Sequence, residues 1–222
     1  MEIIHIESLA VPWGELALYH SFADKISQGL VPYIDFFPEY PPLALTLFSI
    51  ANLFGEQWFT LMWYGMALLA TVGTMILIKR LNNNPYVFLA CILPLGGLFW
   101  DRFDIFPAFF TLLSIYQAKK GNLLSLVSLF IGIMIKIYPI ILLPIILLMF
   151  LVKSVKKFIS ASLLFISLVI LFILPNRQII NTLFKYHGNR GIQIESIRAT
   201  PLLFKDSITE FKHNTFEIRR KE

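Results

Sequence analysis

A chain of 222 residues that is 57% hydrophobic and 15% charged, with mean hydropathy +0.70, is too apolar for soluble domains, which carry about a quarter charged residues. The net charge of +5 does not indicate nucleic-acid binding, because the basic residues stand in short clusters between apolar runs and form no continuous stripe. Composition therefore predicts an all-α integral membrane protein. The single cysteine, Cys91, excludes an intrachain disulfide and, lying within an apolar run, is expected as a buried, inert thiol.

In chain order, Met1 to Trp13 is neither a signal peptide nor a span, since Glu2, His5 and Glu7 interrupt it. Gly14 to Gln28 predicts an amphipathic helix lying in the interface. Leu18, Tyr19, Phe22, Ala23 and Ile26 share one face, and Glu15, Asp24 and Lys25 fall elsewhere. Gly29 to Pro42 follows as a stiff, extended loop framed by Pro32, Pro38, Pro41 and Pro42. It holds the carboxylates Asp35 and Glu39 among Tyr33, Phe36, Phe37 and Tyr40, aromatics suited to a membrane–water boundary. From this loop alone, acids that perform chemistry and acids that are merely solvated both remain open. Leu43 to Phe54 is apolar but shorter than the roughly 20 residues a crossing needs, and predicts a re-entrant or interfacial helix.

Six spans are expected after it: Trp58–Ile78, Pro85–Phe99, Ile105–Ala118, two helices within Leu123–Val152, and Phe158–Leu174. Leu123–Val152 as one helix would reach about 45 Å, too long for the bilayer, and Lys136 with Pro139 at its midpoint predicts a hairpin. The positive-inside rule places Lys79-Arg80, Lys119-Lys120 and Lys153/Lys156/Lys157 in the cytoplasm. Alternation then sends Asp35, Glu39, Asp101, Asp104, Lys136 and everything after Pro175 outside. The halves of the Leu123–Val152 hairpin span roughly 20 Å against a hydrocarbon core of about 30 Å. Their outer turn should thus lie sunk in an outward-facing recess, with Asp101, Asp104 and Lys136 near its floor.

Lys136 is the most informative of these residues, because a cation within hydrocarbon is costly and marks a ligand or pathway more often than it snorkels. Asp101 and Asp104 bracket Arg102; a local ion pair fixing the turn is an equal alternative to a functional role. No His, Cys or carboxylate spacing makes a metal box. His5, His20 and His213 have no partner at useful spacing, and Gly96, Gly97 and Gly132 read as packing points. His187, Arg190 and Glu195 lie in a polar segment that by itself reads as a solvated loop. Taken together, a carboxylate at the membrane lip can serve as general base toward a hydroxyl, and Lys136 and Arg190 can clamp a phosphate leaving group.

Those residues carry a resemblance to the GT-C superfamily of membrane glycosyltransferases, in particular family 87, the polyprenyl-phosphate-sugar-dependent mannosyl- and arabinofuranosyltransferase type. Gly29 to Pro42 is similar to that family's first outer loop, Arg102-Phe-Asp-Ile-Phe-Pro107 to its R-(Y/F)-D-x-x-P turn, Lys136-Ile-Tyr-Pro139 to its K-x-x-P hairpin, and His187 to Ser196 to its R-x-x-x-x-E-S loop. The resemblance implies a polytopic bundle of about six spanning helices with interfacial or re-entrant helices in the first outer loop, held in the cell membrane. It implies inverting transfer of a sugar, mannose first, from a polyprenyl-phosphate donor to a hydroxyl on a lipid or glycan acceptor at the extracytoplasmic face. Asp35 would be the general base. Glu39, Tyr40, Arg102, Asp104, Lys136, Tyr138, His187, Arg190 and Glu195 would bind substrate, with no metal, no cofactor and no nucleic acid. It covers residues 1–196 as the enzyme core; 197–222 would be a polar basic tail outside it. The family's span before the first outer loop and its later spans have no counterpart here, so a core truncated at both ends is the expectation. A transporter or lipid translocator, or an inactive fragment of such an enzyme, are the rival readings; the absence of an inverted repeat weighs against the transporter.

Overall fold

The computed structural model describes residues 14–173, together with 178–179, 182, 192–193, 210–212 and 215–218. The chain divides into two compact units, Met1–Ile179 and Ile180–Glu222. In the second, β1 (Ile192–Gln193), β2 (Glu210–Lys212) and β3 (Thr215–Ile218) form an antiparallel sheet in the order β1-β3-β2, with Phe211 opposite Phe216.

Among its described residues every regular element of the first unit is a helix. Helix α1 (Glu15–Ser27) begins behind Gly14 and stops at Gly29, whose φ of 87° lies where side chains are disfavoured. Helix α2 (Pro42–Ala51) starts on a proline, whose missing N–H would be unpaired there in any case. It is the short apolar helix expected before the first span. Helix α3 (Glu56–Arg80) runs 25 residues from an acidic first turn to a basic last turn, complementing its dipole at both ends.

The run expected as one element over Pro85–Phe99 is broken in three: α4 (Pro85–Ile92), a 3₁₀ turn (Leu93–Leu95) and α5 (Gly97–Asp101). Pro94 removes a ladder donor and Gly96 takes φ 52°, so an apolar run that reads as continuous folds as a kinked one. Cys91 sits here and is exposed, not buried as expected, because Ile92 is the only buried residue of α4.

Helices α6 (Ile105–Lys119) and α7 (Leu124–Ile135) form an antiparallel hairpin with the most extensive packing in the unit. Gly132 makes the close approach possible: a Cβ there would stand 3.4 Å from Thr111 Oγ1 and 3.5 Å from the Pro107 carbonyl oxygen. After Lys136 the chain enters a 3₁₀ turn (Tyr138–Leu142), then α8 (Leu143–Lys153) and α9 (Val155–Ile173). The hairpin expected at Lys136 and Pro139 is therefore present. Fully buried Leu126, Leu129, Ile146 and Phe150 bind α7 to α8, with Ala118 and Ala161 closing the cluster from α6 and α9.

Two helices, α3 and α9, are long and apolar enough to cross a membrane, and only 28% and 6% of their most apolar windows are buried. The other expected crossings are shorter, with 15 residues in α6, 12 in α7 and 11 in α8. Helix α3 is held against α6 at Gly73, where an added Cβ would lie 2.7 Å from Phe109 Cε2. Gly73→Leu should accordingly lower stability by about 1–3 kcal/mol by overpacking. Adding Phe109→Ala should recover much of that loss, measured as non-additive thermal midpoints in a double-mutant cycle.

Candidate functional site

The site gathers where the N-terminus of α6 meets the C-terminus of α7. Lys136 leaves the helix with φ −153° and ψ 134°, its N–H still bonded to the Gly132 carbonyl at 3.0 Å. With Pro139 opening the next turn, the backbone cannot carry α7 further, and the lysine side chain is released at the helix end. Its Nζ donates to Asp104 Oδ1 at 2.5 Å and stands 4.9 Å from the Phe103 ring centroid. Asp104 is at the start of α6 and Lys136 at the end of α7, so each charge complements the dipole of its own helix. The pair is not sealed in the core; side-chain exposures are 37% for Lys136 and 46% for Asp104.

Phe103, only 2% exposed, is the floor of this arrangement. Tyr19, Tyr40 and Phe48 meet its ring edge-on at 5.5, 5.2 and 5.9 Å. Tyr19 also stacks on Phe48 at 4.5 Å and leans on Trp63 at 5.1 Å, and the Trp63 indole N–H donates to the Trp100 carbonyl at 2.9 Å. One aromatic cluster thereby fixes α1, the acidic loop, α2, α3 and the 101–104 turn against one another.

The three charges of that turn do not pair locally, which removes the local ion pair left open by the sequence. Asp101 Oδ1 accepts from the Tyr64 hydroxyl at 2.8 Å, Arg102 Nη2 lies 3.5 Å from Glu15 Oε1, and Asp104 holds Lys136. Glu15 also accepts from the Tyr19 hydroxyl at 3.0 Å. Burial pushes the Tyr19 hydroxyl well above its ordinary pKa, and the charge and hydrogen bond of Glu15 push it further. Tyr40 is raised the same way, first by burial and then by the Glu39 carboxylate beside it. Both phenols stay protonated and serve as donors.

The acidic loop is ordered by its own residues. The Val31 N–H donates to Asp35 Oδ2 at 2.7 Å, and the Asp35 N–H returns a bond to the Val31 carbonyl at 2.9 Å. Tyr33, at φ 66°, donates its hydroxyl to the Tyr40 carbonyl at 2.7 Å, while Phe36 stacks on Phe22 at 5.9 Å. Asp35 is exposed, and its Oδ1 has no hydrogen bond among the described residues. Among those residues no hydrogen bond or ion pair joins Asp35 to Lys136, Asp104 or Arg102.

Tyr40, Asp104, Lys136 and Phe103 are thus brought together, with Arg102 tied to the same cluster through Glu15 and Tyr19. Tyr138 is exposed in the 3₁₀ turn beside Lys136. His187, Arg190 and Glu195 lie outside the described residues. A cleft of about 350 Å³ is lined by Tyr64, Leu68, Gly97 and Trp100, next to Asp101; Lys136 and Asp104 do not line it. Among the described residues no group of three His, Cys, Asp or Glu is placed to hold a metal ion. Glu15, Tyr19, Trp63 and Tyr64 are site residues to which the sequence assigns no site role; Glu15 and Tyr19, placed there on different faces of one helix, are joined by a hydrogen bond at i, i+4 spacing.

Comparison of the chain with family models, with curated proteins and with solved structures finds no match.

Proposed function

We propose that this chain is the core of a multi-pass membrane glycosyltransferase. It moves a sugar, mannose first among the candidates, from a polyprenyl-phosphate donor to a hydroxyl on a lipid or glycan acceptor at the extracytoplasmic face. The observation that carries the reading is Lys136: a lysine between long apolar runs, freed at a helix end, paired with Asp104 and half open to the surroundings. A cation so placed suits an incoming phosphate, which exchanges for Asp104 as its partner. The little-buried flanks of α3 and α9 support residence in a bilayer, and the basic helix ends support the sidedness.

In the proposed reaction Asp35 Oδ1 takes the acceptor's proton while the acceptor oxygen attacks the anomeric carbon from the face opposite the phosphate. The bond from that carbon to the phosphate oxygen breaks, and the leaving polyprenyl phosphate keeps the electron pair. Its added negative charge is met by Lys136 and Arg102, and the anomeric configuration inverts. Glu39, Tyr40 and Tyr138 would hold the sugar and acceptor hydroxyls.

Membranes containing the full chain, incubated with radiolabelled polyprenyl-phosphate mannose and then with other sugars on the same carrier, should move label into a lipid or glycan product. The new linkage should have the anomeric configuration opposite to the donor's. Label that never leaves any donor, or a product of retained configuration, would remove this reading.

A further inference from the structure

The opposite end of the helices carries a feature that sugar transfer does not use. The basic ends of α3, α6 and α8 and the basic start of α9 lie there, and among the described residues none of their cations is in an ion pair. Lys153 Nζ donates to the Ala118 and Lys119 carbonyls at 2.8 and 2.7 Å, which joins the end of α8 to the end of α6. Lys120 Nζ covers the Tyr116 ring at 4.5 Å, and Arg80 of α3 reaches the same tyrosine. Gly121, at φ 72°, turns the chain from α6 into α7, and the space above it is faced by two ammoniums. A Cβ built there would lie 3.2 Å from Lys153 Nζ and 3.4 Å from Lys157 Nζ.

All of Lys79, Arg80, Lys119, Lys120, Lys153, Lys156 and Lys157 are exposed. The sequence holds no Asp or Glu between Glu56 and Asp101, nor between Asp104 and Glu195, so the helices that carry these cations bring no carboxylate of their own to this end. Neither ion pair among the described residues involves them. Lys156 and Lys157 stand in the first turn of α9, where the helix dipole disfavours cations. Lys153 is matched to the carbonyls it caps, whereas Lys157 is aimed at the same point against the α9 dipole and with no acid beside it among the described residues, so an anion at that point would offset charge that these residues leave uncompensated.

We propose that this end of the bundle binds the phosphate headgroup of an anionic phospholipid, held between Lys153 and Lys157 over the Gly121 turn, with Lys119, Lys120 and Lys156 at its rim. The apolar flanks of α8 and α9, with Leu148, Leu151, Ile159 and Leu163 exposed, supply the surface along which the acyl chains lie. That chemistry selects a lipid over a free phosphate. The inference rests on the bilayer location in the proposed function and not on sugar transfer.

The test uses the full chain, extracted in detergent, stripped of lipid and examined by native mass spectrometry. Dioleoylphosphatidylglycerol, dioleoylphosphatidylcholine and inorganic phosphate are added in turn. Phosphatidylglycerol should bind at least about tenfold more tightly than phosphatidylcholine, and Lys157→Gln should weaken it about fivefold. Lys157 makes no other polar contact among the described residues, so its removal leaves the α6 cap by Lys153 intact. Lys25→Gln, which changes the net charge equally but sits in α1, should have no effect. Equal binding of the two lipids, equal losses in the two variants, or displacement of phosphatidylglycerol by equimolar phosphate would each overturn the site. Alkaline carbonate separates the two readings. A chain it strips from membranes loses the bilayer location and this site with it, whereas a chain that stays embedded and binds both lipids alike loses only the headgroup site.

Discussion

Asp35→Asn should lower sugar transfer by about 10²–10⁴-fold, the range removed when a positioned general base is lost. The substitution isolates chemistry from folding, because an asparagine oxygen can keep the 2.7 Å bond from the Val31 N–H that shapes the loop. The Tyr33 hydroxyl bond to the Tyr40 carbonyl and the Phe22–Phe36 stack do not involve the Asp35 side chain. What the amide cannot do is accept the acceptor's proton. The loss should therefore fall on kcat, with KM for donor little changed, and the variant should be as stable as the parent. Asp35→Ala should lose transfer and also loosen the loop, since the turn bond goes with the carboxylate. Glu39→Gln provides the internal comparison: Glu39 lies beside Tyr40 and is assigned to binding, so its effect should appear mainly in KM. Initial rates with labelled donor decide the matter. Transfer by Asp35→Asn at the parent's rate removes Asp35 as base, and a kcat collapse in Glu39→Gln alone moves that role four residues along the loop.

The parts of this molecule that were legible in the sequence are those written in local patterns. Glycines at 14 and 29 bound α1, basic pairs end α3 and α6, and a lysine followed by a proline breaks Leu123–Val152 where the hairpin forms. The break within Pro85–Phe99 was also written locally, in Pro94 and Gly96, but unbroken hydrophobicity hides it from a reading based on apolar length. Apolar runs between basic clusters likewise predicted six crossings, whereas among the described residues two helices reach the length by themselves. The site was half legible. Residue type and setting single out Lys136 and Asp104, but nothing local says that they meet across 32 positions of sequence. Glu15 with Arg102, and Tyr64 with Asp101, are pairings of the same kind, made by packing α1 and α3 over one turn. Neighbouring charges left a local ion pair among Asp101, Arg102 and Asp104 as open as a functional role. Tertiary structure sends each to a different element, because side chains that follow one another in a tight turn point apart.

Lys136→Gln should reduce transfer by about 10²–10³-fold, the cost of removing one preorganised group that meets charge developing on the leaving phosphate. The rival explanation of such a loss, that the fold depends on the Lys136–Asp104 pair, can be judged by magnitude. With 37% and 46% of the two side chains exposed, the pair is not sealed in the core, and in the outward-facing recess expected of it a pair reached by water contributes about 0–1 kcal/mol. That is too little to unfold a bundle whose α6–α7 seam and α7–α8 core are fully packed. The variant should therefore keep its helical circular dichroism and lose function. A second readout separates a phosphate clamp from a merely structural lysine. Polyprenyl phosphate, the proposed product, should inhibit the parent competitively against the donor, and this inhibition should weaken in Lys136→Gln by about the same factor as binding of the leaving group. Lys136→Arg, which keeps the charge, should restore part of it. Asp104→Asn should act in the opposite direction. Neutralising the carboxylate removes both the competitor for Lys136 and a repulsion toward phosphate, so product should bind more tightly and leave more slowly. Tighter product binding with lower turnover in Asp104→Asn, beside weaker product binding in Lys136→Gln, is a pattern that lost folding cannot mimic. An inhibition constant identical in Lys136→Gln and the parent would show that no phosphate reaches this lysine, and the donor site would then have to be sought elsewhere in the chain.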